Sequence, residues 1–402
     1  MSNLLDGTRK NHFPAHISTL GAWRGNLWLR SVVFQLLALG GVIGIGVWLV
    51  NNALDNLTRQ HIAAGFGFLA REASFAIGES MIPYTPADSY GQAVVVGLLN
   101  TIKVSLFGVV LSTILGVAIG IARLSRNWLV AQFAGVYVES VRNIPILLQL
   151  FLWYAVITEG LPSSRQAFNL MPGVYLSNRG LMIPTPVPHP AWAAAWIALG
   201  GALIGVFALR VWARKRQART GRYFPLGWTA ACMILGLPLL AYVAFGAPTA
   251  LEIPTLRGFN FVGGATLSPE LSALLLGLVV YTAGFIAEIV RSGILSVSHG
   301  QTEAGLALGL SPKQVTRLII LPQALRVIIP PVTSEYLKLS KNSALAVAIG
   351  YPDVVSVLNT IINQTGQAIE GVAMIMAAFF TVSIGIAVFM DWYNRHVALI
   401  ER

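Results

Sequence analysis

Residues 31–50 run without a single Asp, Glu, Lys or Arg. About 20 such residues in a helix cover roughly 30 Å, the hydrocarbon thickness of a bilayer. A soluble fold has no place for many segments of that kind, and this chain holds several. Residues 100–122 form a second, with apolar residues reaching back to Ala93 and Lys103 near one end. Residues 191–211, 226–246 and 371–390 are equally plain, and 271–290 is apolar until Glu288. The stretch 128–158 is interrupted by Glu139 and Arg142. Its span is therefore set at 144–158, and 128–143 reads as an amphipathic approach along the interface. Residues 343–358 make the weakest candidate, short and broken by Pro352 and Asp353. Together these predict an all-α polytopic membrane protein with about eight transmembrane helices. Only 11% of residues are charged, against about 25% in soluble domains. A water-soluble enzyme and a disordered chain are both excluded.

Charge placement sets the orientation, because loops that stay in the cytoplasm keep an excess of Lys and Arg. Segments 1–30, 123–143, 210–225, 291–337 and 391–402 carry nineteen positives, Arg9, Lys10, Arg24 and Arg402 among them. The alternate segments 51–92, 159–190, 247–270 and 359–370 carry five. Both termini are expected in the cytoplasm. The N-terminal apolar run reads as a retained anchor, since it is longer than a usual signal core and shows no small-residue cleavage site. Gly40, Gly41, Gly44 and Gly46 suggest close helix packing there. Residues 184–190 (PTPVPHP) predict a stiff extended connector. One cysteine, Cys232, excludes an intrachain disulfide, and six scattered histidines offer no metal-ligand spacing. No metal or other cofactor is expected. The positives within 210–222 fit a membrane-orienting loop facing anionic lipid better than a nucleic-acid site.

One cytoplasmic loop carries punctuation of its own. Residues 301–308 favour a helix, with Glu303 in its first turn. Gly309 falls where a left-handed cap belongs. Ser311, Pro312 and Gln314 restart the chain as N-cap, first helical residue and capping box. Val315, Leu318 and Ile319 make one apolar stripe while Lys313 and Arg317 face away, and Leu321-Pro322 is expected to end the second helix. Such a helix-turn-helix suits a groove on a soluble partner, although a loop packed on its own bundle is the plainer alternative.

The spacing Glu303-Ala304-Gly305, three residues, Gly309, nine residues, Ile319, one residue, Leu321-Pro322 resembles the Glu-Ala-Ala loop of ABC-importer permeases. Gly305 stands where that family usually has its second Ala. Ala287-Glu288 with Arg291, Gly300-Gln301, Leu321-Pro322-Gln323 and Lys341-Asn342-Ser343 are similar to the polar amino-acid branch. So is the run Arg142-Asn143-Ile144-Pro145-Ile146-Leu147-Leu148-Gln149, with Asn143 and Ile144 replacing the usual Gly and Thr. The longer layout looks like the larger subunit type of general L-amino-acid importers. On this reading 1–91 is an N-terminal segment with the first span, 92–158 and 268–402 form an ABC type I importer permease core, and 159–267 is an insertion with two extra spans.

The resemblance implies a bacterial inner-membrane permease subunit that takes up polar L-amino acids and is not itself a catalyst. It implies an ATPase dimer docked on the 303–322 hairpin, a second homologous permease as a heterodimer partner, and a periplasmic amino-acid-binding protein. The chain has no G-x4-G-K-[ST] phosphate loop of its own. The rival is an ion- or proton-coupled secondary transporter, which needs paired charges near the midplane. Three polar residues are candidates for the translocation path: Gln149, Glu288 and Asp353. Each has a plainer reading. Glu288 sits three residues before Arg291, in ion-pair range on one helical face, and Gln149 can bond a neighbouring helix. Lys338 and Lys341 read as snorkelling anchors that can also steer a carboxylate.

Overall fold

The computed structural model describes residues 27–59 and 65–397. Arg9, Lys10, Arg24 and Arg402, which entered the charge sorting, lie outside them, as does most of the segment preceding the proposed anchor. Helix α1 (Leu27–Arg59) leads to a loop with one 3₁₀ turn, and α2 (Tyr90–Ala122) follows. Next come α3 (Trp128–Asn143) and α4 (Ile146–Thr158), then α5 (Pro190–Thr220) and α6 (Leu226–Ala244), with short strands on either side of that pair. The chain closes with α7 (Pro269–Leu295), α8 (His299–Ala307), α9 (Pro312–Val315), α10 (Leu321–Asn342), α11 (Val354–Thr365) and α12 (Ala368–Val397). Among the described residues seven helices are long and apolar enough to cross a bilayer, or eight when the bent pair α3–α4 counts as one crossing.

The centre of the bundle is α2 against α7. Gly116 and Gly120 form a small-residue notch on α2, four residues apart, of the kind that lets helix backbones touch in lipid. A Cβ at Gly116 would stand 2.7 Å from the Ile286 Cβ, and one at Gly120 2.8 Å from the Ala287 carbonyl oxygen. Around this seam the buried side chains fall into three groups. Val104, Leu150, Leu274, Leu278 and Tyr351 fill one. Phe68, Tyr90, Val354, Leu358 and Ile361 fill the second, and Ile286, Val290, Ala324, Ile328 and Val332 the third. By contrast, Gly40, Gly41, Gly44 and Gly46 of α1 meet nothing within 4 Å. The packing expected of them has no partner among the described residues.

The break expected within 128–158 falls where the sequence placed it, because α3 and α4 meet at a 107° bend. Asn143 ends α3 and Pro145, without an N–H, opens α4. The weakest expected span is corrected. Residues 343–349 are a 3₁₀ turn, Gly350 (φ +80°) reverses the chain, and Asp353 caps α11. The crossing is made instead by α10, which begins at Leu321 where the sequence was expected to stop. Pro322 lies in the first turn of α10, directly after a π-turn over Thr316–Ile320. A π-turn bonds i→i+5 and so accommodates a residue that lacks the usual i→i−4 donor. Tyr336 of α10 lies 2.7 Å from Thr113 Oγ1 of α2, hydroxyl to hydroxyl.

Residues 159–267 hold strands that the sequence did not suggest. β1 (Phe168–Met171), β2 (Val174–Ser177), β3 (Gly180–Ile183) and β8 (Ala265–Leu267) form an antiparallel sheet in the order β1-β2-β3-β8. Ile183 faces Ala265 and Leu181 faces Leu267 across the last pair. The proline-rich connector is partly such structure: β4 (Thr185–Pro186) pairs with β5 (Leu251–Glu252). β6 (Thr255–Arg257) and β7 (Asn260–Val262) make a separate hairpin. Ser268 then caps α7 by accepting the Leu271 N–H at 3.1 Å.

Candidate functional site

The hairpin 299–322 is built by its caps. At the end of α8 the Gly309 N–H donates to Leu306 O (2.9 Å) and the Leu310 N–H to Gly305 O (3.2 Å). That is a full Schellman closure, and it requires the φ of +80° that Gly309 adopts. The capping box follows: Ser311 Oγ accepts the Gln314 N–H (3.4 Å) while Gln314 Oε1 accepts the Ser311 N–H (2.9 Å). Gly305 is buried against Val315 and Ile319, and a Cβ there would stand 2.7 Å from Ile319 Cδ1. Gly in place of Ala thus lets the two arms close tightly.

What the closure leaves outside is apolar. Leu308 is 81% exposed and Leu318 60% exposed, and Glu303 and Ala304 are exposed as well. The expected stripe is corrected accordingly: Val315 and Ile319 turn inward, whereas Leu318 points out. Ile319 also accepts the Gln323 side-chain N–H through its carbonyl, at 3.0 Å. Leu321 is partly exposed at the start of α10, and Pro322 is half-buried beside it. Glu303 pairs with His299 one turn earlier, at 3.1 Å.

The polar residues singled out for the path are engaged in bonds within the fold. Glu288 accepts from Arg291 Nη2 (2.7 Å) and Nε (3.1 Å) and pairs with Arg123 of α2 on its other side. Gln149 is buried and donates to the carbonyls of Val141 (2.9 Å) and Ile144 (3.0 Å). Those oxygens are orphans of the α3 terminus, so Gln149 staples the bend. Asp353 is fully buried and its Oδ1 accepts the Ser356 N–H at 2.8 Å as N-cap of α11.

Sequence reading missed Glu335 because it placed 291–337 outside the bilayer, and so missed the group that Glu335 completes. Glu335 is 8% exposed within α10 and is bonded to Lys338 at 2.8 Å. The Lys338 ammonium lies 6.0 Å from the Phe285 ring centre, and the Arg142 guanidinium lies 5.1 Å from the same ring. A carboxylate, an aromatic face and two cations thus converge from α10, α7 and the end of α3. Lys338 and Arg142 were legible as cations, Lys338 as one that can steer a carboxylate, but nothing in the sequence placed Glu335 or Phe285 beside them.

Away from the hairpin a second polar knot closes the bundle. Lys103 pairs with Glu79, whose Oε2 also accepts the Ser268 hydroxyl at 2.8 Å. Asn100 donates to the carbonyls of Glu79 (2.8 Å) and Pro352 (2.9 Å), and the Val354 N–H donates to Thr101 Oγ1 (3.0 Å). A cleft of about 370 Å³ opens beside it, lined by Glu79, Ser268, Glu270, Ser356 and Thr360 among others.

Comparison with known proteins shows the family. The family described as binding-protein-dependent transport system inner membrane component matches residues 108–398. The chain is 48% identical to the general L-amino acid transport system permease protein AapQ of Rhizobium johnstonii, over 93% of each. It is 38% identical to the glutamate/glutamine/aspartate/asparagine transport system permease protein BztB of Rhodobacter capsulatus, covering 93% of this chain and 95% of that one. Among solved structures, an amino acid ABC transporter crystallised with histidines aligns at a TM-score of 0.45 and 18% identity, over 76% of this chain and 95% of that one. With the family pattern running from the middle of α2 to the end of α12, the chain belongs to the inner-membrane permease components of binding-protein-dependent transport systems.

Proposed function

We propose that this chain is the membrane-spanning subunit of an ATP-driven importer of polar L-amino acids, and that the 303–322 hairpin is where a separate ATPase dimer acts on it. The observation that carries this is the hairpin itself. It is locked internally by Gly305 and two sets of caps, yet it leaves Leu308 uncovered at its tip and Leu318 uncovered on its second arm. A rigid apolar knob transmits force to α7 and α10, which leave its two ends, so closure of the ATPases tilts the core helices as bodies. The charge asymmetry supports a cytoplasmic hairpin and cytoplasmic termini. An external amino-acid-binding protein delivers substrate to the opposite face, and a second related permease completes a heterodimer.

Within the bundle, the amino acid's path follows Arg142, Phe285, Lys338 and Glu335. Two cations suit the α-carboxylate and Glu335 suits the ammonium group. Gln149, Glu288 and Asp353 serve the fold instead. The test is Gly309→Arg, which puts a bulky side chain where φ is +80° and at the exposed turn. The variant is expected to insert normally and lose at least about tenfold in ATP-driven amino-acid uptake into vesicles. Undiminished uptake by a fully inserted variant refutes the docking role.

A further inference from the structure

The inserted helices α5 and α6 form a hairpin whose chemistry the transport cycle does not use. They meet along a seam of small residues: Ala191, Ala202 and Ala213 are the buried side chains of α5, spaced by three helical turns, and none of α6 is buried. Two aromatic pairs mark its ends. At one end Trp192 and Tyr242 lie 4.9 Å apart and donate to the loop carbonyls of Val187 (3.3 Å) and Pro248 (2.7 Å). At the other, Trp212 meets Phe224 edge-on at 5.5 Å. From Trp192 to Trp212 the helix rises about 30 Å, one hydrocarbon thickness. Aromatic side chains with wet tips prefer the two interfaces, so these pairs fix the depth of the hairpin.

Beyond Trp212, α5 continues to Thr220 as a rigid rail. Arg214, Lys215, Arg216 and Arg219 stand on this extension and Arg222 follows it, at headgroup level. No Asp or Glu occurs anywhere in residues 160–251. None of these five has an ion-pair partner among the described residues, and all five are exposed. Arg216 stacks on Trp212 at 5.2 Å, holding one guanidinium at the interface. An uncompensated cation cluster at the depth of lipid phosphates attracts anionic lipid.

We infer that the α5–α6 hairpin is an anionic-lipid-binding arm, recruiting phosphatidylglycerol-type headgroups to residues 214–222. The chain offers its own probe: Cys232 is its single cysteine and is exposed on α6, six residues into that helix and so about 9 Å inside the leaflet. The full chain, carrying a fluorophore on Cys232, is reconstituted in phosphatidylcholine vesicles with about one-fifth phosphatidylglycerol. Bromine is placed on the acyl chains of one lipid or the other. At low salt, brominated phosphatidylglycerol is expected to quench at least about twofold more per molecule than brominated phosphatidylcholine. That preference should collapse in about 1 M salt, where screening acts over about 3 Å, and in the R214Q/K215Q/R216Q/R219Q variant. Equal quenching by both lipids in the wild-type chain at low salt overturns the inference. So does a preference that survives both the salt and the fourfold substitution. A wild-type chain that ignores lipid charge but binds an oligonucleotide through the same four residues assigns the cluster to nucleic acid and equally sinks it.

Discussion

At the scale of single residues, buried polar groups decide more than the motif letters do. Desolvation pushes the Asp353 carboxyl up to about 7, against the pull of the Ser356 and Val355 N–H groups. In the unfolded chain it ionises near 4, so the folded protein holds the proton more tightly. Its contribution to stability is complete below about pH 4 and is lost as pH rises through about 7. Asp353→Asn keeps an N-cap oxygen and removes the charge. Its unfolding midpoint should exceed wild type at pH 8, with the gap closing toward pH 5. Parallel midpoint curves for the two proteins would count against this. Asp353→Ala loses the cap as well and should cost about 1 kcal/mol at pH 5. In the proposed path, Glu335→Gln and Lys338→Gln should raise the KM for uptake of a zwitterionic amino acid by about tenfold while leaving assembly intact. Unchanged KM values in both variants remove these residues from the path. Legibility at this scale was uneven. Gly309, Ser311 and Gln314 were readable because caps are local chemistry written in consecutive residues. Glu335 was not, since its burial depends on which distant elements come back to cover α10, although its partner Lys338 stays largely exposed.

Among elements, the helices that were read correctly are those whose only requirement is apolarity. The helix that was misplaced, α10, carries Arg326, Glu335, Lys338 and Lys341 together with Pro330 and Pro331. Its cost in lipid is offset by protein contacts, which hydropathy does not register. The 3₁₀ turn at 343–349 was mistaken for a span for the opposite reason: it is apolar because it is packed among α2, α7 and α11. The strands within 159–267 were hidden because two- to four-residue ladders leave no periodic signal. Two elements invite direct tests. Gln149→Leu removes both bonds that staple the α3–α4 bend and leaves two carbonyls unpaired, which should destabilise the protein by about 1–3 kcal/mol. Gly120→Leu should be worse, because the Ala287 carbonyl backbone cannot retreat from the added atoms. A thermal-shift assay in detergent that found Gly120→Leu as stable as wild type would show that α2 and α7 do not meet at this notch.

On the whole-molecule scale, the number of crossings survived the replacement of one span by another, because the expected span 343–358 and the observed α10 each count as one. The side assigned to the 303–322 hairpin is therefore the same under either reading. In a Cys232→Ser background, a cysteine at Leu308 should react with an impermeant maleimide only when the cytoplasmic face is open, and one at Phe259 only from outside. Labelling of Leu308→Cys in intact cells reverses the topology. A last consequence concerns the sheet. Ile183 and Ala265 are direct partners across β3 and β8, so their Cα atoms stand about 5 Å apart. Everything between them, residues 184–264 with both inserted helices, enters and leaves the fold through a gap that a two-residue Asn-Gly turn can bridge. The hairpin is thus hung on the fold at a single narrow neck, and excising 184–264 should return a shorter permease that still folds and keeps the orientation of every remaining helix, which maleimide labelling of Leu308→Cys in the shortened chain checks.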